Sequence, residues 1–526
     1  MVKIMKTKQI FRLAAVLLFL TAGGCASLPD NSSKHESNAY GDPGSTLLGK
    51  KYAERAVQHP QGQSAYHLLS DALDAFVARA ALAQIAEHSI DSQYYMVHGD
   101  LVGLLYMDQL LKAADRGVKV RFLLDDMDEG TRDFSLAKFD FHPNIEVRIF
   151  NPFGRNTGKT MQFLTGFGKQ TRRSHNKTYT VDNIATIVGG RNIGDEYFDA
   201  DGVMDFADLD VLGIGPVAKE VSASFDQYWN HELSYPISLL TKEQATEEDY
   251  RQGRARLDQF IAEQSESAYL MSLRESDLAN SVRNKDVVYS WADASVYADP
   301  PDKLLQQTGD RAYQMFVNSK PYMERADKEL LIISPYFVPG NSGVEFLAGL
   351  VKKGVKVRVL TNSLASTDVS VVHAGYARYR KPLLRAGVEL YELNKKTAKA
   401  SRQAYKQGKV GVSETSLHAK TYIVDSKTAF IGSLNLDARS IVQNTEIGVV
   451  IDSKDIADII STGIDNNIDR AAFRVRLDVD KDGTEHTTWT GLIDGKETIL
   501  TTEPYTGFWK RFGTSFMRLM PIESQI

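Results

Sequence analysis

Residues 175–192 read HNKTYTVDNIATIVGGRN, and residues 418–435 read HAKTYIVDSKTAFIGSLN. Both stretches carry histidine, lysine, aspartate, glycine and asparagine at identical spacings, and they begin 243 residues apart. One copy could arise by chance, but two copies in register indicate a duplicated domain that retains its most distinctive side chains in both halves. The shared positions are His175, Lys177, Asp182, Gly189 and Asn192 in the first half and His418, Lys420, Asp425, Gly432 and Asn435 in the second.

The sequence around each motif repeats as well. Residues 90–95 match 332–337 as a buried strand, and residues 117–121 match 354–358 as a turn and a second strand, with an amphipathic helix between them in both halves. Short runs of Val, Ile and Leu that alternate with helical periodicity indicate β-α-β units and a sheet covered on both faces. The predicted fold class is therefore α/β, with two duplicated lobes, each a mixed sheet flanked by helices, packed so that the two motifs face each other.

The residue types of the motif suit phosphoryl transfer. Because histidine titrates near neutral pH, one imidazole can attack phosphorus while the other protonates a leaving alcohol. Strand periodicity places the histidine and lysine of each motif on one face. The lysines, together with Asn192, Ser433 and Asn435, are predicted to hold phosphate oxygens and stabilise their charge. In-line attack needs a nucleophile and an acid on opposite sides of phosphorus, and two facing motifs would supply both.

A histidine nucleophile also needs an acidic group that fixes its tautomer. Strands downstream of the motifs offer candidates at residues 208–211 and 444–447. When the two halves are laid in register, Asp210 matches Glu446, although the first half has seven extra residues before this position. We therefore predict Asp210 and Glu446 as the orienting carboxylates.

The paired motif resembles that of the phospholipase D superfamily, in which two such halves share one active site. Over roughly residues 60–520 the chain is similar to the bacterial cardiolipin synthases of that superfamily, and most of all to their C-type members. The segments that carry this resemblance are 90–95, 191–195, 372–376 and 508–511. The resemblance implies transfer of a phosphatidyl group to phosphatidylglycerol through a phosphatidyl-histidine. It also implies that His175 is the nucleophile and His418 the acid, and that Asp182 and Asp425 are structural. For His373 it implies a place in the headgroup pocket, with a solvated basic helix as the alternative.

Residues 1–25 have the features of an export signal. Four basic residues lead into an apolar run at 13–22, too short to span a bilayer, and small residues then precede Cys25, the only cysteine. This pattern resembles a bacterial lipoprotein signal, with an ordinary secretory peptide as the alternative. It predicts an exported protein anchored to the bacterial membrane, on the periplasmic side, through lipidated Cys25. The polar segment 26–60 is predicted to be a flexible tether.

The rest of the chain divides into a first lobe (61–242), a connecting subdomain (243–310), a second lobe (311–475) and a C-terminal hairpin with an amphipathic segment (476–526). In that last segment Phe508, Phe512, Phe516 and Leu519 fall on one stripe, with basic residues elsewhere. This arrangement suits the surface of an anionic membrane, and a docked terminal helix is the alternative.

Composition and charge limit the remaining possibilities. The net charge of −5 does not favour a nucleic-acid partner, and no His/Cys cluster indicates a metal, so no metal or other cofactor is expected. The expected partners are phospholipids at a membrane surface, namely phosphatidylglycerol, with phosphatidylethanolamine as a second candidate, and the expected catalytic unit is a monomer. Two alternatives stay open: a phospholipase D hydrolase, phosphodiesterase or nuclease that uses the same residues, and a non-catalytic surface lipoprotein.

Overall fold

A computed structural model describes residues 28–127, 133–155, 159, 162, 171–200, 204–306, 310–396 and 414–518. The first half contains strands β1 (Ser64–Leu69), β2 (Ser89–Tyr94), β3 (Lys119–Asp125), β4 (Ile145–Phe150), β5 (Thr178–Val181), β6 (Ala185–Gly189), β7 (Met204–Ala207), β8 (Asp210–Ile214) and β9 (Ser234–Pro236). Its helices are α1 (Leu47–Ala56), α2 (Ala72–Ile85), α3 (Leu101–Asp115), α4 (Asp133–Asp140) and α5 (Pro216–Asn230). Helices α6 (Glu247–Gln264), α7 (Ala268–Arg274) and α8 (Asp277–Asn284) follow.

The second half repeats this plan and then extends it. Its strands are β10 (Ser290–Ala298), β11 (Glu329–Ile333), β12 (Lys356–Thr361), β13 (Glu389–Leu393), β14 (Glu414–Leu417), β15 (Thr421–Val424), β16 (Thr428–Gly432), β17 (Ile447–Asp452), β18 (Ala472–Val479), β19 (Glu485–Ile493) and β20 (Lys496–Leu500). Its helices are α9 (Met315–Glu324), α10 (Gly340–Lys352), α11 (Ser370–Arg385), α12 (Lys454–Ala471) and α13 (Phe508–Met517). Within the described residues, no helix combines the length and the apolar character needed to cross a bilayer.

The two sheets share one strand order. It runs β4-β3-β2-β5-β6-β8-β1 in the first half and β13-β12-β11-β15-β16-β17-β10 in the second. In each half the first three of these strands are parallel and the others antiparallel, so the predicted duplicated mixed sheet is confirmed. Strands β1 and β10 also pair with each other, with Ala65 opposite Trp291, and this pairing joins the two sheets at one edge.

Alternation along the central strands buries both faces of each sheet. In β3, Phe122 packs in the same core as α3, whereas its neighbour Leu123 packs with Phe225 and Trp229 of α5. Period-two alternation sends successive side chains to opposite faces, and helices cover both of them. A further core contains residues of both halves, including Val211 and Val449, so the lobes pack as one unit.

The predicted tether needs correction, because the described part of residues 26–60 is folded against the first lobe. It contains α1, and the segment before α1 runs along the end of α5. Trp229 Nε1 donates a hydrogen bond to Ser37 Oγ (2.9 Å), and Asn31 Nδ2 donates to the Glu232 carbonyl (2.8 Å). A polar segment is expected to be disordered only if no other part of the chain forms hydrogen bonds with it. Here the hydrogen-bonding partners lie near residue 230, far away in sequence. Cys25 and the predicted signal lie outside the described residues.

The boundary of the connecting subdomain also moves. The predicted range 243–310 includes β10, but β10 is the counterpart of β1 and pairs with β17, so the second lobe begins near Ser290. Helices α6 to α8 instead pack on the first lobe: Arg254 forms an ion pair with Asp115 of α3 (2.9 Å), and Leu278 N donates to Asp74 of α2 (2.8 Å). At the C-terminus, β18 to β20 extend the second sheet before α13 begins.

Candidate active site

Both motifs lie at the carboxyl ends of the central parallel strands. Strand β5 runs antiparallel to β2, with Thr178 opposite Gln93 near the end of β2, and β15 runs antiparallel to β11, with Thr421 opposite Ile333. The histidine and lysine that precede β5 and β15 therefore lie beyond the carboxyl ends of β2 and β11. This is the edge at which open α/β sheets bind ligands.

Backbone pairing between the halves fixes the position of each histidine. The His175 amide donates to the Thr445 carbonyl (2.9 Å), and Ser174 forms a parallel bridge with Thr445. In the other half β14 pairs in parallel with β7, and the His418 amide donates to the Ala207 carbonyl (2.8 Å). Each motif is thus attached to the backbone of the other half, immediately before an acidic residue of that half.

Each motif histidine takes its carboxylate from the other half. His175 Nδ1 lies 2.9 Å from Glu446 Oε2, and His418 Nδ1 lies 2.5 Å from Asp208 Oδ2. Both carboxylates are buried. A carboxylate on Nδ1 holds the proton on that nitrogen, so that Nε2 is the basic atom of the neutral ring. The two halves thereby form one centre with two oriented imidazoles.

The prediction for Glu446 agrees with this geometry, but the prediction for Asp210 is wrong. Asp210 forms buried ion pairs with Arg79 (2.8 Å) and Arg191 (3.3 Å) and does not orient a histidine. Strand pairing supplies the reason: Gly189 lies opposite Asp210 in β6–β8, and Gly432 lies opposite Gly448 in β16–β17. Asp210 is therefore the counterpart of Gly448, and Asp208 is the counterpart of Glu446. Aligning the halves by sequence alone missed this shift of two residues.

Ser433 also occupies a different position from the one predicted. Its hydroxyl donates to Glu446 Oε2 (2.5 Å) and accepts from the Ile447 amide (3.0 Å), so it supports the carboxylate rather than facing a phosphate. The first half has Gly190 at this position, where an added Cβ would lie 2.1 Å from Asp208 Oδ1. The glycine lets Asp208 approach closely, and the serine holds Glu446 by a hydrogen bond.

The lysines and asparagines line the same centre. Lys177 Nζ donates to the carbonyl of His175 (2.8 Å), and Lys420 Nζ lies 3.0 Å from His418 Nδ1. Burial lowers the pKa of Lys177 to about 7 and that of Lys420 to about 8. Asn192 and Asn435 are buried, and their side-chain oxygens have no hydrogen-bond partner among the residues described.

The motif aspartates lie away from the histidines. Asp182 accepts hydrogen bonds from the backbone amides of Glu87, His88 and Ser89 (2.8–2.9 Å), and Asp425 accepts from the amides of residues 327–329 (2.8–3.0 Å). Each carboxylate thus binds the turn that leads into β2 or β11. The geometry gives both residues a structural contact, as the resemblance implied.

Two aromatic rings that the sequence did not single out complete the centre. Tyr95 packs edge-on against His175 with ring centroids 5.0 Å apart, and Tyr197 packs edge-on against His418 at 5.2 Å. Asn192 Nδ2 donates to the Tyr197 hydroxyl (2.8 Å), which links the first asparagine to the second histidine. Tyr95 ends the repeated segment 90–95, so that repeat was the available signal.

The two carboxylates differ in their electrostatics. Burial raises the pKa of Glu446 to about 7. Burial acts in the same direction on Asp208, but the charges of His418, Lys420 and Arg191 outweigh it and hold the Asp208 pKa well below its usual range. Burial, with Lys177, lowers the pKa of His175 well below its ordinary value. Burial and Lys420 also lower that of His418, and Asp208 opposes this shift.

Two further groups of polar side chains contain a histidine. His373 is buried in α11, with Nε2 3.4 Å from Glu503 Oε1 and 3.1 Å from Arg380, so its predicted role in the headgroup pocket stays a prediction. His98, Asp100 and Glu196 form a group whose ligand atoms lie within 4.8 Å of one another, which the sequence did not foresee. Within it, His98 Nδ1 lies 3.1 Å from Glu196 Oε1, a direct polar contact between the two side chains.

Comparison with known proteins agrees with this geometry. The chain is 42% identical over 478 residues to cardiolipin synthase C of Escherichia coli, covering 89% of this chain and 97% of that protein. It is 33% identical over 516 residues to an uncharacterized protein of Helicobacter pylori, covering 96% and 98% of the two chains. Among solved structures, the phosphatidylserine synthase of Haemophilus influenzae aligns over 80% of this chain and 91% of its own with a TM-score of 0.51 at 12% identity, a likeness of fold.

The family description "Cardiolipin synthase, PLD-like domain" matches residues 80–229 and 320–467, so that each match contains one of the two motifs. Together with the 42% identity over most of the chain, these matches confirm the resemblance: the protein belongs to the phospholipase D-like family of cardiolipin synthases.

Proposed function

We propose that the protein is a phosphatidyltransferase that makes cardiolipin by moving a phosphatidyl group to phosphatidylglycerol. The observation that carries this proposal is the pair of crossed contacts, His175 with Glu446 and His418 with Asp208, in one buried centre. Two oriented imidazoles, one from each half, are what a two-step phosphoryl transfer needs. The names of the E. coli relative and of the family support cardiolipin as the product.

In the first step Nε2 of His175 attacks the phosphorus of a phospholipid. A phosphorus–nitrogen bond forms, the phosphorus–oxygen bond to the headgroup alcohol breaks, and protonated His418 gives its proton to that alcohol. In the second step His418 takes the proton of the phosphatidylglycerol hydroxyl, the oxygen attacks phosphorus, and His175 is released. Lys177, Lys420 and the two asparagines stabilise the charge on the phosphate oxygens.

The electrostatics favour this assignment of the two roles. The ionised Asp208 beside His418 stabilises an imidazolium, which is the form that an acid needs. Glu446 has a raised pKa and offers less charge to His175, whose own pKa is lowered. A ring that stays neutral keeps its lone pair for attack on phosphorus. A bound phosphodiester anion would add to the effect of Asp208 and oppose the lowering of the His418 pKa by burial and Lys420.

A membrane location forms part of this proposal. Helix α13 exposes Phe508 (63%), Trp509 (78%), Phe512 (57%) and Phe516 (56%), with Lys510 and Arg511 on the same helix. Exposed aromatics beside basic side chains bind an anionic bilayer surface, and lipidation of Cys25 would add a second anchor. Two weak anchors together hold a protein at the surface where its lipid substrates are concentrated. Mass spectrometry of the N-terminal peptide tests the modification of Cys25, and its absence would remove that anchor.

Purified protein with phosphatidylglycerol and phosphatidylethanolamine, and products resolved by mass spectrometry, tests the activity. We expect cardiolipin to exceed phosphatidic acid, because a buried centre excludes water and positions a lipid hydroxyl. Use of phosphatidylethanolamine as donor is read from isotopic labelling of each lipid in turn. If phosphatidic acid dominates in every lipid mixture, the protein is a phospholipase instead.

A further inference from the structure

The second lobe contains a groove that begins at the end of its motif. The lining starts at Leu436, the residue after Asn435, and includes Ala438 on the following turn. Other lining residues come from α9 and α10, among them Phe316 and Phe346. The groove encloses about 880 Å³, within the range of roughly 300–1,000 Å³ that is typical of small-molecule sites.

The groove and the catalytic histidines lie at the same end of the sheet. Phe337 and Val338 form part of its floor and follow the carboxyl end of β11, beyond which His418 also lies. Phe337 forms a parallel bridge with Leu436, and Val338 N donates to the Leu436 carbonyl (2.8 Å). These contacts join the floor of the groove directly to the segment that carries Asn435.

The chemistry of the lining changes from floor to mouth. Phe337, Val338 and Leu347 are buried and apolar, whereas Arg311 and Asn341 are exposed and polar. The lining also includes Lys320, Glu324 and the buried Gln314, but most of its buried side chains are apolar. A strongly polar ligand would lose many of its hydrogen bonds to water over the apolar part of this lining, so a hydrocarbon chain suits it better.

The first lobe differs at the equivalent position. Val97 bridges Ile193 as Phe337 bridges Leu436, and His98 N donates to the Ile193 carbonyl (2.7 Å) as Val338 N does to Leu436. In that lobe, however, the half-buried side chains of His98, Asp100 and Glu196 come together. The apolar lining is thus a property of the second lobe and does not follow from the duplication.

We propose that this groove binds one acyl chain of the phospholipid whose phosphate lies at the catalytic centre. The identification of that phosphate rests on the proposed function, but binding of the chain needs no turnover. The occupant is a phospholipid tail because the groove continues from the segment that carries Asn435 and because its floor is hydrocarbon. The lipid would then be held at both ends, with its phosphate on the motif and its tail along α9 and α10.

The test measures how affinity depends on chain length. Full-length protein with His175→Ala, which cannot turn over, is titrated by calorimetry with lysophosphatidylglycerols of increasing acyl length, each below the concentration at which it aggregates. Monomeric ligands avoid any bilayer on which α13 could dock. Each methylene that enters the groove should raise the affinity about fourfold, until the groove is filled.

Ala438→Trp, made in the same background, places an indole in the groove and should remove the dependence on chain length. The matched control is Ala262→Trp on the exposed face of α6, which should keep it. Phe346→Ala removes part of the wall and should make the dependence shallower, which provides a second variant if Ala438→Trp fails to fold. Titration with octanoate distinguishes a phospholipid site from a fatty-acid site, since the phospholipid should bind more tightly by its phosphate.

The proposal that the groove binds an acyl chain would be overturned if affinity does not change with chain length. It would also be overturned if affinity changes equally with chain length in the Ala438→Trp and Ala262→Trp proteins. Octanoate binding as tightly as the lipid would also overturn it as a phospholipid site. The outcome of the activity assay for the proposed function is independent of the outcome of these binding measurements. Protein that makes no cardiolipin but binds longer chains more tightly loses the proposed function and keeps the groove.

Discussion

The two halves of this molecule share a strand order and a motif, yet their catalytic residues are set in different surroundings. His418 contacts a carboxylate that neighbouring cations keep ionised, while His175 contacts one that burial pushes toward protonation. Gly190 lets Asp208 approach closely, whereas Ser433 donates a hydrogen bond to Glu446. Duplication therefore supplied two similar sites, and the proposed division of roles between the histidines rests on these small differences behind them.

Loss of either histidine should have the largest effect. His175→Ala and His418→Ala should each reduce turnover by at least about 10³-fold, because neither half supplies both roles. Trapping of the covalent intermediate should distinguish the two halves. The His418→Ala protein retains the nucleophile and should keep a radiolabelled phosphatidyl group bound after denaturation, whereas the His175→Ala protein should keep none. Circular dichroism checks that both variants fold. Label on the His175→Ala protein would reverse the assignment.

Substitution of the carboxylates should have the second-largest effect. Glu446→Gln and Asp208→Asn should each reduce turnover by about 10²–10⁴-fold. They should differ in which step they slow. Asp208→Asn weakens the acid, so a substrate with a nitrophenolate leaving group, which needs no proton, should recover most of its rate. Glu446→Gln misorients the nucleophile and should show no such recovery. Equal recovery in both variants would contradict the division of roles.

The third-largest effect on the rate should come from pH, with a bell-shaped dependence. Protonation of Glu446 removes the acceptor that keeps the proton on His175 Nδ1, so activity should rise as the pH passes upward through about 7. Lys420 must be charged to stabilise the phosphate, so activity should fall as the pH passes through about 8. Lys177, with a pKa of about 7, should add to that fall. A flat profile of kcat between pH 6 and pH 9 would show that these groups do not control the step.

The smallest effect should come from making the second half resemble the first. Ser433→Gly removes a hydrogen bond that lowers the pKa of Glu446. The acidic limb of the pH profile should therefore move to higher pH, with a loss of roughly tenfold or less at neutral pH. Thr428→Ala, at the far end of β16, changes a hydroxyl in the same strand and should leave the limb in place. A downward movement of the limb would mean that Ser433 does not stabilise the ionised carboxylate.

Much of the fold was open to prediction because the signals were local. The apolar run at 90–95 and the matching turns at 117 and 354 have the periodicity of buried strands and helix ends, and β2, β3 and β12 lie there. The predicted strand at 332–337 lies too late in the chain, because strand pairing makes Leu330 the counterpart of Ile90 and β11 ends at Ile333. The prediction of a flexible tether failed because the signal there is not local. Residues 28–60 have no periodicity of their own, and hydrogen bonds to residues near 230 order them.

In the site, local spacing located His175, His418, both lysines and both asparagines. It failed at Asp210, because a loop of different length in the two halves makes register ambiguous by sequence counting. The pairing of Gly189 with Asp210 in β6–β8 resolves that ambiguity. Local spacing also failed at Ser433. The position of a serine near Asn435 in the sequence does not reveal the direction in which its hydroxyl points.

The sequence by itself determined that the chain is duplicated, that each half is an α/β lobe, and that the two halves carry matching histidine-lysine motifs. Each of these follows from spacing within a short segment, which a strand or helix converts directly into geometry. Only the tertiary structure decided that the carboxylates cross over, since His175 and Glu446 are 271 residues apart and His418 and Asp208 are 210 apart. Such contacts depend on how β14 pairs with β7 and how residue 174 pairs with residue 445, and the register between distant strands is set by packing of the two lobes rather than by any local pattern.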